Sequence, residues 1–257
     1  MIPVSLVQLG EDSGLRLDRL AKVLNRRQKC FEFSFGGDIP NIGPPTRFER
    51  FYEFDVLFKF LARKSLAAKF VIGVTHEFLT GAQSDGPTGE LEYFSLSDFK
   101  QYAVVTTAMQ KWSSPNRSRE QYLAFLLLGE LLVMAAGQDL MHSETRRCMF
   151  DDCEERSVFR NTIEASAICR SCSGKLVENN VDGAVIDAAE RILKWCKRRP
   201  WRSTLSGLFS NPVASLVTGV AGGWFAAIYL TRVEWVWILI PTLFVIAAVL
   251  VFERMHT

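Results

Sequence analysis

Residues 129–172 read GELLVMAAGQDLMHSETRRCMFDDCEERSVFRNTIEASAICRSC. The cysteines in this stretch stand in two close pairs, Cys148/Cys153 and Cys169/Cys172. C-x4-C followed by C-x2-C is the spacing of a tetrahedral zinc site, in which each pair grips the metal from one turn and the segment between the pairs closes the loop. Immediately upstream, residues 123–140 are an apolar, helix-forming run with one carboxylate, Glu130, in its middle and Asp139 near its end. A helix carrying one buried acid and leading into a cysteine cluster has the outline of a zinc-dependent active site.

Working outward, the chain of 257 residues is long enough for one sizeable domain with appendages. Its net charge of +2 sets up no global basic field, so no nucleic-acid partner is expected. The first twenty residues show no basic n-region, no long apolar h-region and no small-residue cleavage site, which places the bulk of the chain in the cytosol. In a reducing compartment, clustered cysteines are metal ligands more often than disulfides. Cys30 and Cys196 lie outside the cluster and read as packing residues.

Upstream of the cluster, helical and strand periodicities alternate. Residues 2–9 (IPVSLVQL) read as a buried strand, and residues 16–27 have helical spacing with Leu17, Leu20 and Leu24 on one face. Phe31, Phe33 and Phe35 alternate with polar residues as in a half-buried strand. Residues 36–45 are a turn-rich break, and residues 48–67 suggest a Phe-rich amphipathic helix. Further strands are expected over 69–74 (KFVIGV), 90–96 and 102–107, before the long helix over 117–140. This order predicts an α/β domain with a mixed sheet over residues 1–180.

Beyond the cysteines the composition changes. Residues 182–199 suggest an amphipathic helix ending in Lys194, Lys197, Arg198 and Arg199, within a basic linker over 181–211. Residues 212–230 and 235–252 contain no charged residue. Each is close to the ~20 residues that cross a hydrocarbon core of ~30 Å. Trp224, Tyr229, Trp235 and Trp237 cluster near the short connection like an interfacial belt. We therefore expect a two-helix transmembrane hairpin over 212–252 with a short tail at 253–257. The basic linker places both termini in the cytoplasm, at the inner membrane of a cell. Ser215, Gly219, Gly223 and Ala227 recur every four residues and form a narrow stripe of small side chains, suited to close helix packing and self-association.

Residues 2–176 resemble the archaemetzincin family of zinc metallopeptidases, piece by piece and in order: the opening strand IPVSLVQLG, the strand KFVIGVTHEFL, the run YFSLSDFKQYAVVTT, and then the helix that would carry the zinc motif. The family motif is H-E-x-x-H-x-x-G-x-x-H-C-x4-C-x-M, then a spacer and C-x2-C. Glu130 takes the place of the catalytic glutamate. The flanking ligand positions are then Gly129 and Val133, neither of which can bind zinc. Gly137 stands one residue from the motif glycine. In one register His142 is the third histidine, Ser143 replaces the first cysteine, Phe150 occupies the methionine position, and Cys153 is a replacement ligand; in another, Cys148 and Cys153 are the first two cysteines of the family. The resemblance implies a mixed-sheet zincin-like domain with one structural zinc on Cys148, Cys153, Cys169 and Cys172.

Only His76, His142 and His256 exist in the chain. A histidine-ligated catalytic zinc is therefore not expected, and His142 reads as a surface or supporting histidine rather than a ligand. With no catalytic residue assigned, the expectation is a chain that is no enzyme. It would be a peptidase-like sensor for an unknown protein or small-molecule trigger, controlling a membrane-disrupting hairpin as in bacterial anti-phage defence. The alternatives are a membrane-tethered adaptor without a pore, and an active peptidase using unusual ligands such as Asp139 and His142.

Overall fold

The computed structural model describes residues 1–10, 14–45, 51–64, 66–80, 93–114, 117–152 and 156–197. It divides the chain into two compact units, Met1–Pro200 and Trp201–Thr257. The expected hairpin over 212–252 and its stripe at Ser215, Gly219, Gly223 and Ala227 lie outside the described residues, as does Cys153. Among the described residues, no helix is long and apolar enough to cross a membrane.

The first unit is built on a five-stranded sheet in the order β2-β1-β4-β7-β6, formed by β1 (Ile2–Leu9), β2 (Phe31–Ile39), β4 (Phe70–Thr75), β6 (Ser95–Ser97) and β7 (Tyr102–Thr106). All pairings are parallel except that of the edge strand β6, which runs antiparallel to β7. The mixed sheet expected from the sequence is thus present. Side chains alternate between two cores. Val4 and Leu6 of β1, Phe70, Ile72 and Val74 of β4, and Ala103 and Val105 of β7 enter one core. Val7, Leu9, Val71 and Val104 enter the other. The strand period of two therefore divides each continuous apolar run between two helical layers, as a parallel sheet covered on both faces requires. Gly73 of β4 pairs in register with Val7 of β1, and a Cβ there would collide with the Leu9 side chain.

Helix α2 (Phe54–Arg63) covers the second core, whereas α1 (Leu17–Arg27), α4 (Arg119–Ala136) and α7 (Gly183–Lys197) cover the first. The Phe-rich segment expected as one helix over 48–67 is shorter. Residues Phe51–Glu53 pair instead as β3 with β5 (Phe78–Thr80) in a small parallel ribbon, and the helix begins only at Phe54. Two short helices, α5 (Arg156–Ala165) and α6 (Arg170–Glu178), are placed around the cysteines, and α3 (Gln110–Ser113) precedes the long helix.

Helix α4 is the axis of the unit. Ser118 caps its start by accepting from Gln121 N, and Gln121 reaches back to the Ser118 backbone, completing a capping box. Gly137 ends it in the left-handed region at φ 66°, donating to the Val133 carbonyl. The glycine that the resemblance assigned to the zinc motif thus serves as the helix C-cap. Leu123, Leu127, Leu131 and Leu132 are all buried, because the helix is apolar on nearly every side and is packed between the sheet and α7.

Candidate metal centre and the adjoining cleft

The turn that follows α4 brings the metal donors together. His142 N donates to Phe150 O at 3.1 Å, and Asp152 N donates to His142 O at 3.0 Å, which folds residues 142–152 into a tight loop. Asp151, buried at its centre, accepts from Arg146 N at 3.1 Å and from Cys148 N at 3.0 Å, and Thr162 Oγ1 donates to it at 3.3 Å. Cys169 is the N-cap of α6, which places Cys172 one turn along the same helix start.

Three of the cysteines picked out by spacing converge, and His142 joins them. One donor atom from each of His142, Cys148, Cys169 and Cys172 lies within 4.8 Å of the others. A tetrahedral zinc with these ligands needs donor separations of roughly 3.5–3.8 Å, and His142 Nε2 stands 3.7 Å from Cys169 Sγ. The donor set fits the metal: three thiolates and an imidazole are what zinc prefers in closed structural sites. His142, read from the sequence as a supporting residue, is corrected to a member of the cluster. Cys153, expected as the fourth ligand, lies outside the described residues.

Backbone amides prepare the sulfurs for the metal. Cys169 N donates to Cys148 Sγ at 3.2 Å, and Cys172 N donates to Cys169 Sγ at 3.4 Å. Burial pushes the Cys169 thiol up, but hydrogen bonds from the Cys172 backbone and from the Cys172 and Cys148 side chains outweigh it and hold this thiol at about 7. Burial raises Cys148 and Cys172, as expected for thiols shut away from water without a cation. On His142, Nδ1 lies 2.8 Å from the Glu144 carbonyl, which assigns the proton to Nδ1 and leaves the Nε2 lone pair facing Cys169. Asp151 Oδ1 lies 3.5 Å from the same nitrogen. None of the cysteines in the described residues forms a disulfide.

Beside this loop opens a cleft of about 430 Å³, walled by α4, by the edge strand β6 and by the loop residues Met149 to Asp152. Glu130 stands on its wall, flanked by Gly129 and Val133. Burial pushes the Glu130 carboxyl up to about 7, and the nearby Asp139 adds to this, while the Ser95 and Ser97 hydroxyls on β6 pull the other way. Part of the lining is aromatic: Phe94 and Phe159 stack at 3.9 Å between ring centroids, with Phe125 edge-on to Phe159. The sequence reading missed these aromatic residues and the two serines. Their one signal was the alternation of Ser95, Leu96 and Ser97, which marks two hydroxyls on a single strand face.

No family model matches the chain, and no curated protein matches it by sequence. Solved structures do match. The archaemetzincin of Methanopyrus kandleri aligns at a TM-score of 0.51 and 19% identity, over 70% of this chain and 96% of its own. That of Archaeoglobus fulgidus, solved with malonate, aligns at 0.50 and 15%, over 68% and 99%. The expectation that the chain is no enzyme is corrected here. The structures that share its fold are archaemetzincins, and its own His/Cys cluster can take zinc, so nothing in the scaffold supports reading the chain as a non-enzyme. An α/β sheet in this order, a long helix carrying Glu130 and a cysteine-rich loop at its end give the chain an archaemetzincin-like fold.

Proposed function

We propose that the chain is a membrane-anchored protein of peptidase type that takes an extended polypeptide segment into the cleft between β6 and α4. One observation supports this most: a half-buried carboxylate, Glu130, held at about 7 on the wall of a cleft large enough for several side chains. An acid–base group is most effective when its pKa lies near the working pH. Strand β6 ends the sheet order, so an extended peptide can lie beside it and pair with its backbone. The Phe94/Phe159 stack and Met149 offer an apolar seat for one peptide side chain. In this reading Glu130 takes the proton of the attacking water and hands it to the leaving amine, and the Ser95 and Ser97 hydroxyls orient its carboxylate. Zinc on His142, Cys148, Cys169 and Cys172, when bound, holds the loop 142–172 closed through four protein donors.

Incubating the full chain with a mixture of unstructured peptides, and reading new termini by mass spectrometry, tests this. Cleavage by the unmodified chain and a loss of about 100-fold or more in Glu130→Gln are expected. No cleavage, or equal cleavage by the variant, overturns the assignment.

The anchor rests on the hydropathy of residues 212–230 and 235–252. Release of the chain into the soluble fraction by alkaline carbonate would remove this part of the proposal. The effector reading, in which the hairpin disrupts the membrane in anti-phage defence on an unknown trigger, is favoured by the spacing of Ser215, Gly219, Gly223 and Ala227. Overexpression that leaves membrane potential unchanged would discard it.

A further inference from the structure

The cleft between β6 and α4 has a one-sided chemistry. Its charged lining groups are all carboxyls, Glu130, Asp139, Asp151 and Asp152, and no lysine, arginine or histidine is among the lining residues. Asp151 is taken up inside the loop 142–152. Asp139 and Asp152 are exposed, and neither pairs with a cation among the described residues. Asp139 Oδ1 accepts from Met141 N at 2.8 Å, which fixes that carboxylate in place. The cations nearest in sequence stand outside the lining: Arg146 is engaged by Glu144, and Lys100, Arg147 and Arg160 are exposed. Zinc on three thiolates and a neutral imidazole is a net anion, so it supplies no balancing charge.

The Ser97 hydroxyl is a second and independent sign of a ligand. Ser97 is 3% exposed and lines the cleft, and its Oγ, though turned toward Glu130, completes no hydrogen bond among the described residues. A buried hydroxyl left so costs free energy that an incoming polar group recovers. Ser97 Oγ and the carboxylates have one property in common: they accept hydrogen bonds. Among the described residues, the one group of donors close enough to hold a metal ion is the His142 cluster, so these acids do not form a metal site. They suit an ammonium or a guanidinium, which brings donors alone. The apolar wall suits the stem that carries such a group. Phe94, Phe159 and Met149 line it, and aromatic faces attract cations. Phe99 and Met141 are its exposed apolar residues. Phe99 is held in the left-handed region at φ 59° by Asp98, whose Oδ1 accepts from Lys100 N at 2.9 Å, Gln101 N at 2.8 Å and Tyr102 N at 2.9 Å. A bulky residue rarely adopts that conformation, and here the turn keeps the ring beside the cleft.

We infer that the polypeptide segment entering this cleft presents a lysine or arginine side chain, its stem on the aromatic wall and its cationic head held by Asp139 and the Ser97 hydroxyl beside Glu130. The inference rests on the peptide-binding reading given above and adds to it the chemical class of the side chain. Asp139 and Glu130 lie close enough for Asp139 to add to the upward push on Glu130, so a cation between them relieves their repulsion. An acidic or phosphorylated side chain meets like charge on every side and is rejected.

The test is fluorescence anisotropy of the full chain in phosphatidylcholine discs with labelled pentapeptides blocked at both termini. The central residue is lysine, arginine, norleucine, citrulline or glutamate, and mass spectrometry checks that the peptides stay intact. Lysine and arginine peptides should bind about tenfold or more tighter than their uncharged isosteres norleucine and citrulline. The glutamate peptide should bind most weakly. Asp139→Asn keeps the acceptor for Met141 N and should leave the melting temperature unchanged. It and Ser97→Ala should each weaken the lysine peptide severalfold while leaving the norleucine peptide as it was. Equal binding of the lysine and norleucine peptides overturns the inference and leaves the peptide-binding reading standing, as does a lysine preference that Asp139→Asn does not reduce. Binding that needs a free amino terminus, whatever the central residue, also overturns it. If no peptide of the set binds, the peptide-binding reading falls and the inference falls with it.

Discussion

The metal cluster shows how much depends on single side chains. His142 contributes because the Glu144 carbonyl takes its Nδ1 proton at 2.8 Å, which turns Nε2 toward Cys169. X-ray absorption of the purified chain should therefore show one zinc with three sulfur neighbours and one nitrogen. A shell of four sulfurs would restore Cys153 in place of His142. Cys169→Ser should lose the metal in elemental analysis and lower the melting temperature, since a closed site contributes its binding energy to folding. Glu130 gives a second prediction. Its carboxyl sits at about 7 against an ordinary 4.5, so between these values the folded chain holds a proton that the unfolded chain has released. Stability is then complete below about 4.5, falls as pH rises toward 7, and is level above it, by an amount on the order of 3 kcal/mol. Glu130→Gln should flatten this slope in denaturant titrations across that range. A slope that survives in the variant would show that another group causes it.

At the level of elements, α4 carries the argument. Its capping box at Ser118 and Gln121 is worth about 1 kcal/mol, so Ser118→Ala should lower stability by that amount in urea unfolding. Gly129, by contrast, is not required by packing. A Cβ there would meet only the Met149 methyl at 3.6 Å, an ordinary contact. Glycine within a helix costs roughly 0.5–1 kcal/mol relative to alanine. Gly129→Ala should therefore raise the melting temperature, and a drop would reveal a constraint on that wall of the cleft. Glu130 in the apolar stretch of this helix was legible in the sequence, because one acid amid leucines is conspicuous. Its partners were not, since Ser95 and Ser97 reach it only across a sheet-to-helix contact that no local pattern encodes. The ribbon of β3 and β5 escaped for the same reason: Phe51–Glu53 extends a helical pattern in sequence and is drawn into strand by pairing with Phe78–Thr80.

For the whole molecule, the two compact units, Met1–Pro200 and Trp201–Thr257, correspond to the break in composition near residue 200. The proposed anchor makes a prediction at this scale. If Ser215, Gly219, Gly223 and Ala227 let helices from separate chains approach closely, Gly219→Ile with Gly223→Ile should weaken crosslinked oligomers in membranes while leaving insertion intact. Unchanged crosslinking would leave the stripe to packing within one chain.

The sequence by itself determined the α/β class, the strands of the main sheet, the helix bearing Glu130 and three of the donors in the cysteine cluster, because periodicity and close cysteine spacing are local and survive without a fold. It could not determine the fourth described donor. His142 is six residues from Cys148 but more than twenty from Cys169, and only the loop closed around Asp151 sets its ring against that sulfur. Nor could it set the protonation of Glu130, which depends on the burial that β6 and Met149 impose from elsewhere in the chain. Those decisions belong to the tertiary structure, because they depend on distances through space between residues that are far apart in sequence.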